Sequence, residues 1–210
     1  MLDELVKFFV VFLVVVEPLS LLPILAALTQ GADPSYTRHM VFKAVGISSI
    51  VCLVFAVGGA ALLRVLGISV DAFKVGGGIL LFLLAIEMVF ARPSGVRSTT
   101  PAEDAECHDR GDISVFPLAF PLIAGPGALA VILLAFAGVP TGSPQFFGQV
   151  GVILTLLGIT LGLMLVTRPV MNVVGVTGGA VLGRLLGVLL AALAVQFVMD
   201  GVRQWLVIGG

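Results

Sequence analysis

Glu17 is the residue in this sequence whose type and position most invite chemistry. It is the lone charge in an apolar run that begins at Phe8. At 1.5 Å per residue that offset places it about 14 Å deep, near the middle of a hydrocarbon layer about 30 Å thick. A charged carboxyl facing lipid there is strongly disfavoured, so Glu17 must point inward, carry a proton or have a partner. Each arrangement suits a coupling group that exchanges protons or holds an ammonium. The competing structural role is a neutral carboxyl hydrogen-bonded to backbone that the neighbouring prolines leave free.

Pro18 and Pro23 follow directly. Each lacks an amide hydrogen and clashes with the carbonyl four residues back, so the carbonyls of Val14 and Leu19 lose helical partners. Ser20 places a hydroxyl between them. A second, denser break lies at Pro117, Pro121 and Pro126, where Gly125 and Gly127 flank Pro126. Unpaired backbone at membrane depth is tolerated only inside protein or beside a wet cavity. Two such breaks at matching places point to a substrate site, against the plainer alternative of two proline kinks. Gly76, Gly77 and Gly78 permit either close packing or an unwound helix start whose amides receive a carboxylate. Gln196 is a candidate cavity-lining polar group, whereas Glu87 and Asp200 lie near span ends. No metal site is expected, because His39 and His108 fall in polar connections without a second ligand at helical or zinc-type spacing. No cofactor is expected either.

The elements that must position these groups are membrane spans. Hydrophobic residues make up 59% of the chain and charged ones 11%, and mean hydropathy is +1.20. A soluble domain is about a quarter charged. The net charge of −1 supplies no basic field for nucleic acid. Charge-poor runs predict six spans, at 8–28, 44–63, 75–91, 113–137, 146–166 and 185–202. The first reads as a mature spanning helix and not as a cleavable signal, being acidic at its start and too long for an h-region. Residues 92–112 form the one long polar connection.

The fold expected is all-α and polytopic, a single membrane domain of two three-helix repeats, 1–91 and 113–210, joined by 92–112. PLSLLP (18–23) recurs as PLIAGP (121–126), and GILLFLLAIEMVF (78–90) aligns without gaps to GVLLAALAVQFVM (187–199). Because three is odd, the second copy enters from the opposite side, so helices 1 and 4 are the paired broken helices of an inverted repeat. Seven lysines and arginines lie on one side (Arg38, Lys43, Arg92, Arg97, Arg110, Arg168, Arg184) and four on the other (Lys7, Arg64, Lys74, Arg203). That bias places the first side in the cytoplasm and both termini outside. Gly179, Gly183 and Gly187, and likewise Gly158 and Gly162, have the small-residue spacing of helix contacts, which leaves room for a homo-oligomer.

The segments EPLSLLP, FKVGGGILLFLLAIEM, DISVFPLAFPLIAGPGAL and LAVQFVMDG together resemble the MarC family of bacterial inner-membrane proteins, over essentially the whole chain. The first span departs from the family pattern, with Glu17 where an aspartate is usual and Ser20 in place of a glycine. The resemblance implies a transporter of small neutral amino acids of the glycine and alanine class, acting as an exporter with proton coupling, and no enzyme. The expected substrate-binding set is Glu17, Pro18, Ser20, Pro23, Gly77, Gly78, Gly125, Pro126, Gly127 and Gln196, with Glu17 as the coupling group. Helix starts and glycine amides would receive the carboxylate, and freed carbonyls with Glu17 the ammonium. Expected partners are the amino acid and the bilayer. Rival readings are a membrane enzyme acting on lipid phosphate and a passive small-solute channel. The enzyme needs buried cations or metal carboxylates, whereas all eleven lysines and arginines lie at or beyond the span ends.

Overall fold

The computed structural model describes residues 1–90 and 112–208. Among them the chain forms eight helices: α1 (Leu2–Val16), α2 (Pro18–Leu28), α3 (Pro34–Val65), α4 (Val70–Phe90), α5 (Ser114–Ile123), α6 (Pro126–Phe136), α7 (Pro144–Leu165) and α8 (Thr167–Ile208). Five stretches are long and apolar enough to cross a membrane: Leu2–Leu28, Pro34–Val65, Val70–Phe90, Pro144–Leu165 and Gly178–Leu206. The pair α5–α6, bent by 53°, makes a sixth.

The helices overrun the charge-poor stretches because polar residues extend them beyond the apolar layer. Pro34, pre-organised for a first helical position, starts α3, and Asp33 caps it by accepting the amide of Ser35 at 2.7 Å. Tyr36, Arg38 and His39 therefore lie on helix, not in a connection. The sixth span begins earlier than its leucine-rich stretch suggests. Residues 178–184 are helical, and α8 departs from helical geometry only at Gly175 (φ 64°). Arg92, Arg97, Cys107, His108 and Arg110 lie outside the described residues.

The buried core gathers Phe12, Leu21, Leu81, Leu118, Ile132 and Ile153, one from each of six helices. The outward faces are apolar as well: Ile50, Val54 and Val57 on α3, Leu154 and Ile159 on α7, and Leu185, Val188 and Leu189 on α8 are all exposed. A surface of this kind marks an interaction face in water and the ordinary exterior in lipid.

α4 and α8 cross antiparallel through two glycines. A Cβ at Gly78 would lie 2.7 Å from Val198 Cγ2 and 2.8 Å from the Ala194 carbonyl oxygen. At Gly187 it would lie 2.8 Å from Met88 Cβ and 3.0 Å from Val89 Cγ2. Gly158 and Gly162 are exposed on α7, and a Cβ at either would meet nothing within 4 Å. Their spacing does not make a helix contact within the described residues.

The start of α5 is pinned from outside the apolar layer. The Asp112 carboxylate accepts the Ser114 amide at 3.0 Å and hydroxyl at 2.6 Å, and pairs with Lys43 of α3. Bonding to Lys43 first, and then to Ser114, lowers the carboxyl from the ordinary 3.8 to about 2. A depressed carboxyl stabilises the fold above its unfolded value and loses that contribution as pH falls towards the folded one.

Two stability outcomes follow from these contacts. The detergent-solubilised protein should lose melting temperature as pH drops from about 4 to about 2. Asp112→Asn should melt lower at neutral pH and show less of that acid loss. Gly187→Leu should cost about 1–3 kcal/mol through overpacking against α4. Gly158→Leu, facing open space, should not destabilise the fold and should gain up to about 1 kcal/mol of helix propensity.

Candidate functional site

The first break is one residue wide. α1 ends at Val16, and Glu17 adopts a left-handed conformation (φ 50°, ψ 61°) before Pro18 starts α2. Glu17 is the only non-glycine residue at positive φ among the described residues. That conformation costs a non-glycine residue about 1–3 kcal/mol and persists only where its surroundings impose it. Here they do. The Glu17 amide still donates to the Leu13 carbonyl at 2.8 Å, while its own carbonyl accepts from the Ser20 amide at 3.0 Å. Both Glu17 and Pro18 are buried. Pro23 sits inside α2 without ending it, so this second proline produces no break.

The second break is wider, in keeping with its three prolines. α5 is wound as a π-helix, seen in the Leu118 amide reaching Ile113 and the Ala124 amide reaching Ala119, each five residues back. Phe116 and Phe120 are extended within it, as residues before proline prefer, and the following bonds to Pro117 and Pro121 are cis. The buried Ser48 hydroxyl of α3 donates to the Ala44 carbonyl of its own helix at 2.8 Å and lies 3.4 Å from the Ala119 carbonyl. At the far end of α6, Gln149 of α7 donates to the Ala135 carbonyl at 3.0 Å. α6 then starts at Pro126 with Gly125 before it and no side-chain cap.

The two breaks close on each other. Val15, Leu84, Leu122 and residues 123 and 125–128 line a cavity of about 10 Å³, room for about one water molecule. Gly127 and Ala128, in the first turn of α6, line it, and a helix start carries partial positive charge. A Cβ at Gly127 would come 3.0 Å from Leu84 Cδ2 and 3.2 Å from Val15 Cγ1. Gly125 is required for a different reason: a side chain there would run into the Pro121 carbonyl oxygen. Leucine at 125 would therefore disrupt the backbone of the break, and position 127 is the cleaner probe of the cavity.

Glu17 turns towards α8. Its Oε1 lies 2.6 Å from where a Cβ would stand at Gly183, with Ser20 Oγ at 3.6 Å from the same point. The absent side chain of Gly183 thus makes space for the carboxyl. Glu17, Pro18, Ser20, Gly125, Pro126 and Gly127 are accordingly gathered at the breaks, and Val15, which lines the cavity, stands two residues before Glu17.

Other candidates are placed elsewhere. Gly77 and Gly78 lie within unbroken α4, so the unwound helix start does not occur. Gly77 packs towards Ala130 and Leu134 of α6, and Gly78 towards α8. Gln196 is exposed on α8, donating to Asp200 at 2.8 Å, one helical turn away. Nothing in the sequence singles out Val15, Leu84 or Ser48 as site-forming, since apolar and small hydroxyl residues in a span carry no mark of which way they face. Gly183 did carry a signal in its four-residue glycine spacing, but one that reads as packing.

A double-mutant cycle tests the Glu17–Gly183 contact. Gly183→Ala should destabilise the protein by about 1–3 kcal/mol. The cost should shrink in a Glu17→Asp background, whose carboxyl is one methylene shorter, giving a coupling of about 1 kcal/mol in denaturation measurements. Simple additivity would show that the two residues do not meet.

Known proteins were compared with the chain as a whole. Residues 2–206 match the family described as MarC family integral membrane protein. The UPF0056 inner membrane protein YhgN of Escherichia coli (strain K12) is 32% identical over 209 residues, covering 98% of this chain and 99% of that protein. A UPF0056 membrane protein of Methanocaldococcus jannaschii is 33% identical over 190 residues, covering 90% and 91% respectively. One from Aquifex aeolicus is 31% identical over 203 residues, covering 96% and 93%. No solved structure matches the chain. Broken, apolar-surfaced spans and end-to-end similarity agree, and this chain belongs to the MarC family of integral, multi-pass membrane proteins.

Proposed function

We propose that this protein is a carrier of small neutral amino acids, of the glycine and alanine class, coupled to protons and residing in the bacterial inner membrane. The observation that carries this reading is the meeting of two proline-broken spans around one small cavity, with a buried carboxyl two residues from its wall. A zwitterion needs an anionic and a cationic contact at once. The uncapped start of α6 offers partial positive charge to a carboxylate. Glu17 offers a carboxylate to an ammonium or a place for a proton. Glycine at 127 keeps room for a small solute only, which suits short side chains.

The cavity has room for about one water molecule, so carriage requires the α1–α2 and α5–α6 breaks to part. The crossing of α4 and α8 supports an inverted repeat as the frame for that motion. Gly78 and Gly187 are equivalent in the aligned segments, as are Val89 and Val198, and each glycine packs on the valine of the opposite helix. A two-fold axis in the membrane plane produces such reciprocity. With the seven-to-four charge bias, the reading has both termini outside the cytoplasm.

Reconstituted protein should exchange labelled glycine or alanine in counterflow, which a passive channel does not. Glu17→Gln should lose proton-driven accumulation while retaining exchange. Gly127→Leu should abolish both in a protein that remains folded and inserted. Failure of the wild type to move any small neutral amino acid would sink the substrate class. Unchanged accumulation and pH dependence in Glu17→Gln would reduce that carboxyl to a structural part.

A further inference from the structure

Away from the breaks, where α2 ends, α3 begins and α7 passes into α8, the helices leave an open cavity of about 660 Å³. Buried Leu25, Val41 and Met164 make its floor, with exposed Leu165 at the side. Arg38 and Arg168 line it as well, together with Gln30, Thr37 and Thr167. The cavity is thus amphipathic, an apolar floor beneath two guanidinium groups, at the ends of membrane-crossing helices. Its volume falls in the range of ligand sites, about 300–1,000 Å³.

The two cations are not committed to carboxylates of the fold. Among the described residues the ion pairs join Met1 to Glu4, Lys43 to Asp112 and Lys74 to Asp71. Asp33, close to Arg38 in sequence, uses its carboxylate on the Ser35 amide as the cap of α3. Arg38 rests over the Phe42 ring, 5.6 Å from its centre, a stacked setting that leaves a guanidinium's edge donors available.

We infer that this cavity binds the phosphodiester headgroup of an anionic membrane phospholipid, held by Arg38 and Arg168, with the first carbons of its acyl chains on the apolar floor. Guanidinium groups match phosphate oxygens with paired donors. Basic pockets between helices at the membrane boundary select anionic headgroups. A zwitterionic amino acid is the poorer occupant, since none of the described residues lining the cavity is acidic to meet its ammonium. A free aqueous anion would make no use of the leucine, valine and methionine floor.

Native mass spectrometry of the full chain, delipidated in detergent and then given phosphatidylglycerol or phosphatidylcholine, tests this. The wild type should retain phosphatidylglycerol in preference to phosphatidylcholine, a comparison that needs no variant. Arg38→Gln and Arg168→Gln should each lower that retention about fivefold. Arg203→Gln, near the other end of α8, should not. Equal retention of the two lipids by the wild type, or undiminished phosphatidylglycerol binding in the double variant, would overturn the assignment. Displacement of the lipid by millimolar inorganic phosphate or alanine would also overturn it, in favour of a water-borne occupant.

Discussion

Every backbone amide and carbonyl inside an apolar layer needs a partner within the protein, and the rest of this structure follows from that requirement. Helices meet it automatically except where proline removes a donor. Neighbouring helices supply further partners along the second broken span. Ala119, in the most disturbed stretch, has the Ala124 amide at 2.8 Å and the Ser48 hydroxyl at 3.4 Å. The end of α6 has the Gln149 side chain. Ser48 also bonds back along its own helix to Ala44, as Ser49 does to Val45 and Thr160 to Leu156. Among the described helices, irregular backbone falls at the two breaks and at Gly175 of α8.

The same requirement divides the molecule into unbroken and broken parts. α3, α4 and α7 run without interruption, and α4 is locked to α8 by glycines that admit the partner's backbone. Against this frame the two broken spans are set with little tolerance. Gly125 leaves no space for a side chain beside the Pro121 carbonyl, and Glu17 is held left-handed without being glycine. Strain of this sort is retained only where the surroundings over-determine it, and it collects where a function uses it.

How much of this was legible in the sequence depended on the kind of information asked for. Depth was legible, because charge-poor runs mark it, and the six-span reading matches five crossing helices plus the bent pair α5–α6. The second break was legible too, since its three prolines act locally, but the left-handed Glu17 was not, because proline favours extended backbone in the residue before it, and Pro23 broke nothing. Azimuth was not. Helices that are apolar on all sides carry little periodicity to distinguish a bundle-facing side from a lipid-facing one. That is why Gln196 reads as cavity-lining yet is exposed, and why Gly77 and Gly78 read as amide donors yet pack. It is also why Gly158 and Gly162 share the spacing of Gly183 and Gly187 without touching anything. Helix ends were blurred for another reason: arginine, lysine and histidine continue a helix past the apolar layer, as α3 does from Pro34.

Packing differs between the α4–α8 crossing and the breaks. The crossing seats a glycine closely against the partner helix at both contacts, and separating it would forfeit those dispersion contacts. At the small cavity it is the Leu84 and Val15 side chains that approach the Gly127 main chain. Parting them exchanges dispersion contacts for solute or water and breaks no main-chain hydrogen bond. The first turn of α6 gains a partner in that exchange, because its uncapped end prefers an anion or water to leucine. A small unfilled space and an uncapped helix start thus lie together beside α4, and Glu17 stands where α1 gives way to α2 with its carboxyl towards Gly183 of α8.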